Sequence, residues 1–287
     1  MNLIKKILLK INSFKKREDF YSYSSDERIN NEINKNGYVI IPFLSKDEIS
    51  LLLESYHSHK NDLGVGFHAT MHSKDINYRR KVNQIIGSIF NPKMEKILSD
   101  YKQLNSNFTV KEPGMTSFFD FHLDWNMVDE TKYRSITIWC PLIDTNPANG
   151  NLWVLEKSHT LGDSYRCGPG LYLYFKNTNE LNTSKFKKVA LQMKAGEAVI
   201  YDHKLFHGSP PNLTDKSRIA INQSMIPRDS KSTHYLVKND EITAYEVDDD
   251  FYNRIIIGES TEEGEVKTTF KASSSAIMQE DVNKMIR

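Results

Sequence analysis

The chain is poor in cysteine: only Cys140 and Cys167 occur among its 287 residues, and they form no C-x-x-C pair. That excludes a disulfide framework and makes a reducing compartment the simpler setting. Charge of one sign is lacking too, since Lys+Arg 38 against Asp+Glu 37 leaves a net +1. No global field therefore draws the chain to nucleic acid or to an acidic polymer, and any basic function must be local. There is no internal repeat. The hydrophobic content of 39% is ordinary for a soluble chain that can bury a core.

Charge is concentrated in one place, the N-terminal stretch MNLIKKILLKINSFKKR. On a helix Leu3, Ile4, Ile7, Leu8, Ile11 and Phe14 share one face, and most of Lys5, Lys6, Lys10, Lys15, Lys16 and Arg17 share the other. Lysines interrupt every apolar run and no small-residue cleavage site follows, so this is not a signal peptide; it is also too short and too charged to span a bilayer. Two readings stand: peripheral contact of residues 1–17 with an anionic membrane, or docking of the apolar face on the protein's own core. The expected setting is cytoplasmic, with or without that contact.

Beyond a polar link, GYVIIPFLSKDEISLLLESY predicts a strand and then a helix started by Ser45 and Glu48 in capping-box spacing. Residues 74–103 carry helical periodicity interrupted at Asn91-Pro92, which predicts two helices. From about residue 107 short apolar or alternating runs take over: NFTVKEP, TSFFDFHLDW, RSITIWCPLID, GNLWVLEKS, VALQMK, EAVIYDH and RIAINQSMIP. Strands so spaced predict a sandwich or barrel. The expected division is a basic helix and link at 1–24, one domain at 25–257, and a polar, peripheral or partly disordered tail at 258–287.

The chemistry-bearing candidates lie in the β-rich half. His122 and Asp124 are two apart, so in a strand they face one side and can offer an imidazole and a carboxylate to one point. The stretch YDHKLFHGSPPNLTDKSR supplies two more histidines, His203 and His207, four residues apart. On a helix the two could share a zinc ion, but Lys-Leu-Phe between them lacks the glutamate base of a zinc hydrolase. EAVIYDH reads as a strand, in which positions four apart lie ~13 Å from each other, so only one of the two reaches a metal. A turn-rich PPNLTDK then predicts a hairpin that returns Arg218 to the side of His207. Two histidines and a carboxylate form the facial arrangement of non-haem Fe(II) sites. A nearby guanidinium can hold a carboxylate bidentately.

His122-Leu123-Asp124-Trp125, IWCPLIDTNPANGNL and HGSPPNLTDKSR together resemble the phytanoyl-CoA dioxygenase (PhyH) family of Fe(II)/2-oxoglutarate oxygenases, over roughly residues 37–252. The resemblance implies a mostly β fold with flanking helices, a cupin-like double-stranded β-helix or jelly roll. It implies Fe(II) held by His122, Asp124 and His207, with 2-oxoglutarate and O₂ as co-substrates. The distal carboxylate of 2-oxoglutarate would sit on Arg218, with Ser209 and Trp139 lining its pocket, and His203 would pack or cap. The implied reaction is hydroxylation of an unactivated C–H bond in a small molecule, a lipid or a glycan precursor. At 156–159 the chain has Glu-Lys-Ser-His where the family often has Pro-Gly-Ser-His, in a loop expected nearer substrate than iron.

Candidate substrate contacts are Trp125, Asn126, Tyr78 and Arg79, with His68 and His72 from GFHATMH at the substrate mouth. His57, His59 and His234 are expected at the surface. A non-catalytic jelly roll that binds a metal or ligand is the alternative, and nothing in the chain fixes its oligomeric state.

Overall fold

The computed structural model of the chain describes residues 21–59, 64–161, 163–170, 172–175 and 186–272. The basic segment 1–17 lies outside these residues. Helix α1 (Glu27–Asn36) starts where the Asp26 carboxylate accepts from the Arg28 and Ile29 N–H groups. It stops at Gly37, whose φ of 89° suits glycine and whose Cβ, if present, would lie 2.6 Å from both His159 Nδ1 and Leu205 Cδ1. Strand β1 (Tyr38–Pro42) and helix α2 (Lys46–Ser58) follow, α2 opened by the expected Ser45/Glu48 capping box.

After β2 (Phe67–Ala69), one helix, α3 (Ile76–Ile97), runs through Pro92 where the sequence predicts two. The reason is phase. Val82, Ile86, Phe90 and Met94 recur every four residues across the proline and are all buried, so packing outweighs a local cost of about 3 kcal/mol.

The rest is β-rich: β3 (Tyr101–Lys111), β4 (Phe119–His122), β5 (Ile136–Pro141), β6 (Leu152–Glu156), β7 (Ser164–Cys167), β8 (Tyr172–Phe175), β9 (Lys187–Leu191), β10 (Glu197–Asp202), β11 (His207–Ser209) and β12 (Arg218–Pro227). A six-stranded major sheet has the order β1-β10-β5-β12-β3-β2, and a four-stranded minor sheet β4-β11-β6-β9. Alternation decides what each face meets. Ile136, Ile138 and Cys140 of β5 point, with Ile219 and Ile221 of β12, into a core covered by the three helices. Trp139, Val199, Tyr201 and Ala220 point the other way, toward Leu152 and Val154 of the minor sheet. The fold is a double-stranded β-helix with helices on one outer face.

Strands β13 (Thr233–Lys238), β14 (Glu241–Glu246) and β15 (Glu265–Lys271) form an added three-stranded sheet, with a short helix α4 (Phe251–Arg254) between the last two. Part of the expected polar tail is therefore ordered as an edge strand, mostly exposed and rich in Lys, Glu and Thr. At the other end Tyr23 is buried in the main core and donates to Asp202 at 2.6 Å. His234, expected at the surface, is instead buried against Phe251. No helix among the described residues is long and apolar enough to cross a membrane.

Candidate functional site

Strands β4 and β11 pair antiparallel with His122 directly opposite His207, and the two rings lie 4.1 Å apart. Such close pairing depends on Gly208, where a Cβ would meet the backbone of Phe119, Asp120 and Phe121 at 3.0 Å. His122 Nδ1 lies 2.9 Å from the Asp120 carbonyl, and His207 Nδ1 lies 2.9 Å from the Leu205 carbonyl. A carbonyl only accepts, so each Nδ1 is the donor there, and each ring turns its Nε2 the other way.

Strand β4 ends at His122, and Asp124 follows on the segment beyond it rather than within the strand as the spacing predicts. Its Oδ1 nonetheless comes to 3.9 Å from His122 Nε2 and 3.7 Å from His207 Nε2. The three ligand atoms lie within 4.8 Å of one another. Burial, with His207 nearby, pushes the His122 imidazole down to about 3, so it is neutral and able to ligate. Burial acts to raise the Asp124 carboxyl, but His207, His203, His122 and the Thr137 hydroxyl outweigh it and bring Asp124 down to about 2. Two imidazoles and a carboxylate suit a divalent ion such as Fe(II) and leave it open positions.

The other carboxylate oxygen, Oδ2, accepts from Thr137 Oγ1 at 2.8 Å. His203 Nε2 is 3.0 Å from the same hydroxyl and 3.9 Å from Oδ2. The expected ~13 Å between His203 and His207 assumes a continuous strand, whereas β10 ends at Asp202 and a turn carries His203 before β11 begins. His203 therefore adjoins the carboxylate from outside the three-residue cluster. Tyr201, which sequence reasoning missed, places its hydroxyl 3.2 Å from His207 Nε2.

The expected hairpin before Arg218 is absent: β11 belongs to the minor sheet and β12 to the major one, so the PPNLTDK loop crosses between sheets. Asn212 anchors that loop by donating to the carbonyls of Lys111 and Lys216. Arg218 is 2% exposed, its guanidinium carbon sits 5.4 Å from the Trp139 ring centre, and its Nη1 donates to the Thr109 carbonyl at 3.3 Å. Its Nε has no hydrogen-bond partner among the described residues. Burial lowers it to about 9. A buried cation so placed fits a dicarboxylate from the cavity. Its cross-strand neighbour Lys111, also missed, is fully buried and turns its Nζ onto the Ser117 and Ser209 carbonyls; burial, with Arg218 beside it, lowers it to about 6.

His122, Asp124, His207, Arg218, Ser209 and Trp139 all line one cavity of about 390 Å³. Of the expected substrate contacts, Trp125 and the exposed His72 line it as well. Asn126, His68, Tyr78 and Arg79 do not. Asn126 accepts from the Arg166 N–H at 2.6 Å, and Arg79 spends its guanidinium on the Ile255 and Arg254 carbonyls, tying α3 to the α4 segment. The Glu-Lys-Ser-His loop is also away from the cavity: His159 Nε2 is 3.0 Å from the Asn34 carbonyl at the end of α1. Asn105, Asn107 and Asn222 join the lining without having been singled out in the sequence.

Comparison with known proteins places this geometry. The chain is 26% identical over 169 residues to a phytanoyl-CoA dioxygenase domain-containing protein 1 homolog of Dictyostelium discoideum, covering 55% of each chain. It spans about half the length of the curated relatives it matches. Among solved structures, the epimerase SnoN in complex with Fe³⁺, alpha ketoglutarate and nogalamycin RO has a TM-score of 0.53 at 17% identity, over 84% of this chain and 95% of that one. HygX of Streptomyces hygroscopicus, with nickel and 2-oxoglutarate bound, has a TM-score of 0.52 at 13% identity, over 71% and 87%. These two likenesses establish the fold. The family model for phytanoyl-CoA dioxygenase (PhyH) matches residues 33–220, more than half of the sequence and the whole path from the first strand through the clustered His122, Asp124 and His207 to Arg218, and the chain belongs to that family.

Proposed function

We propose that the chain is an Fe(II)- and 2-oxoglutarate-dependent dioxygenase that hydroxylates an unactivated C–H bond of a small molecule, a lipid or a glycan precursor. His122, Asp124 and His207 hold the metal in this reading, and Arg218, with Ser209 and Trp139, holds the co-substrate. The observation that carries it is the buried Arg218 guanidinium, free of any ion pair among the described residues, in the same cavity as the two imidazoles and the carboxylate. An open metal alone could serve simple binding; an open metal beside an anion clamp is what a chelating dicarboxylate needs.

Bound Fe(II) would supply the oxidising chemistry, in which O₂ and 2-oxoglutarate give succinate and CO₂ while one oxygen atom enters the substrate. The chain's own residues position and shield. The Nδ1 contacts of His122 and His207 aim both rings, Arg218 orients the far carboxylate, and Phe67, Phe119, Trp125 and Met127 give the cavity an apolar wall that limits water. HygX has also been solved with hygromycin B and SnoN with nogalamycin RO, which supports a small molecule as partner here.

Residues 25–257 are the proposed catalytic domain, with Tyr23 packed onto it. A cytoplasmic setting is proposed on the two free, buried thiols Cys140 and Cys167. The test is succinate release from 2-oxoglutarate by the full chain with Fe(II) under air. Release is expected in the wild type and abolished in His122→Ala, Asp124→Ala and His207→Ala, each still folded by circular dichroism, since a jelly roll does not need its metal to fold. Metal binding without succinate release would instead favour the non-catalytic alternative.

A further inference from the structure

Strand β3 alternates between two environments. Phe108 and Val110 enter the helix-covered core, while Asn105, Asn107 and Thr109 line the cavity. Asn105 Nδ2 donates to the Tyr252 carbonyl at 3.2 Å and to Asn253 Oδ1 at 2.8 Å. A backbone carbonyl only accepts, so the Asn105 amide has one orientation, with its oxygen turned toward Asn107. That oxygen accepts from Asn107 Nδ2 at 3.1 Å. The second amide is thereby fixed as well, and its own oxygen is left over. Asn107 is 4% exposed, and its Oδ1 meets no donor among the described residues.

A buried acceptor without a donor opposes folding, and its persistence in a cavity wall points to a ligand that satisfies it. 2-Oxoglutarate is excluded as that ligand because its two carboxylates and ketone are acceptors only. We propose that Asn107 is a specificity-determining residue whose Oδ1 receives a hydrogen bond from the substrate, and that the substrate carries a hydroxyl on an otherwise apolar body. The apolar part follows from Phe67, Met71, Trp125 and Met127 around the same space. A neutral hydroxyl fits better than an ammonium group: among the described residues the only carboxylate lining the cavity is Asp124, already turned to His122 and His207, and Arg218 adds a positive charge. The inference rests on the oxygenase reading in taking this cavity as the substrate's.

The test compares small alicyclic alcohols with their fluoro analogues, which match them in size and lack only the O–H donor, with the corresponding amines as a third arm. Binding to the full chain, with 2-oxoglutarate and Zn(II) in place of iron so that nothing turns over, is read by saturation-transfer NMR. Alcohols are expected to bind about tenfold or more tightly than the fluoro compounds, because a site with a buried polar group discriminates against an analogue that leaves it unpaired. Asn107→Leu is expected to erase that preference. The comparison within the wild type stands even if the variant does not fold. Equal binding of alcohol and fluoro analogue, a preference that survives in Asn107→Leu, stronger binding of the amines, or no binding by any member overturns the proposal; equal binding is also the outcome if water alone satisfies Asn107. Failure of the oxygenase reading would appear elsewhere, as absence of succinate release from the wild type with Fe(II) and air.

Discussion

His203 reaches Asp124 through a hydroxyl group: its Nε2 lies 3.9 Å from Asp124 Oδ2, and Thr137 Oγ1 stands between them, 2.8 Å from the carboxylate and 3.0 Å from the imidazole. His203 is held in turn through Nδ1, 3.1 Å from the Trp125 carbonyl. With Oδ2 engaged in this way, Oδ1 is the oxygen left to face His122 and His207.

Thr137→Val keeps the shape of the side chain and removes the hydroxyl. Partners that orient metal ligands typically contribute 10–100-fold to affinity, so Fe(II) binding by the variant is expected to weaken by about that factor. Anaerobic Fe(II) titration followed by calorimetry measures it. Unchanged affinity would mean that Asp124 is oriented by its backbone alone.

Arg218→Ala should raise the 2-oxoglutarate concentration needed for half-maximal succinate release steeply, because losing one side of a buried charge-assisted contact costs on the order of 2–5 kcal/mol. Fe(II) affinity should survive. Arg218→Lys should recover little, since an ammonium lacks the planar fork and would stand over the Trp139 ring without it. A lysine variant with wild-type co-substrate demand would remove Arg218 from the proposed clamp.

The sequence carried the strands of the jelly roll because their apolar alternation is the same signal that buries one face on the helices, as in Ile136, Ile138 and Cys140. It carried the grouping of His122, Asp124 and His207 because His-x-Asp and His-Gly-Ser are local patterns. Asn105 and Asn107 were illegible for a physical reason: alternation separates two faces of a strand but does not say whether the polar one looks on solvent or on an internal cavity. His203 was misplaced because the turn after Asp202 has no glycine or proline to mark it, and Pro92 misled because the buried stripe of α3 keeps its phase across it. Strand β15 was missed since it buries almost nothing of its own.

The N-terminal segment yields a test that depends on charge. Each basic residue near an anionic surface contributes about 1 kcal/mol, so Lys5, Lys6, Lys10, Lys15, Lys16 and Arg17 together would suffice for reversible attachment. The full chain should co-sediment with phosphatidylserine-containing vesicles at low salt and lose that binding at high salt or on deletion of residues 1–17. A full chain that ignores such vesicles at low salt would leave only the docking of this segment on the protein's own core.

His234 should make stability depend on pH in one window. Burial, partly offset by the Thr261 backbone, pushes its imidazole down to about 4; unfolded, it would titrate near 6.5. Between those values the unfolded chain binds a proton that the folded chain refuses, so this group's contribution is full above about pH 6.5, falls as the pH drops toward 4 and levels off below. The shift corresponds to roughly 3 kcal/mol. Other buried groups also respond to acid, and the comparison that isolates this one is the stability difference between wild type and His234→Phe, which retains a ring against Phe251. Urea unfolding at pH 7.5, 6 and 5 should show that difference moving in favour of the variant as the pH falls. A difference that stays constant across the three pH values would mean that His234 is protonated to the same extent in the folded and unfolded chain.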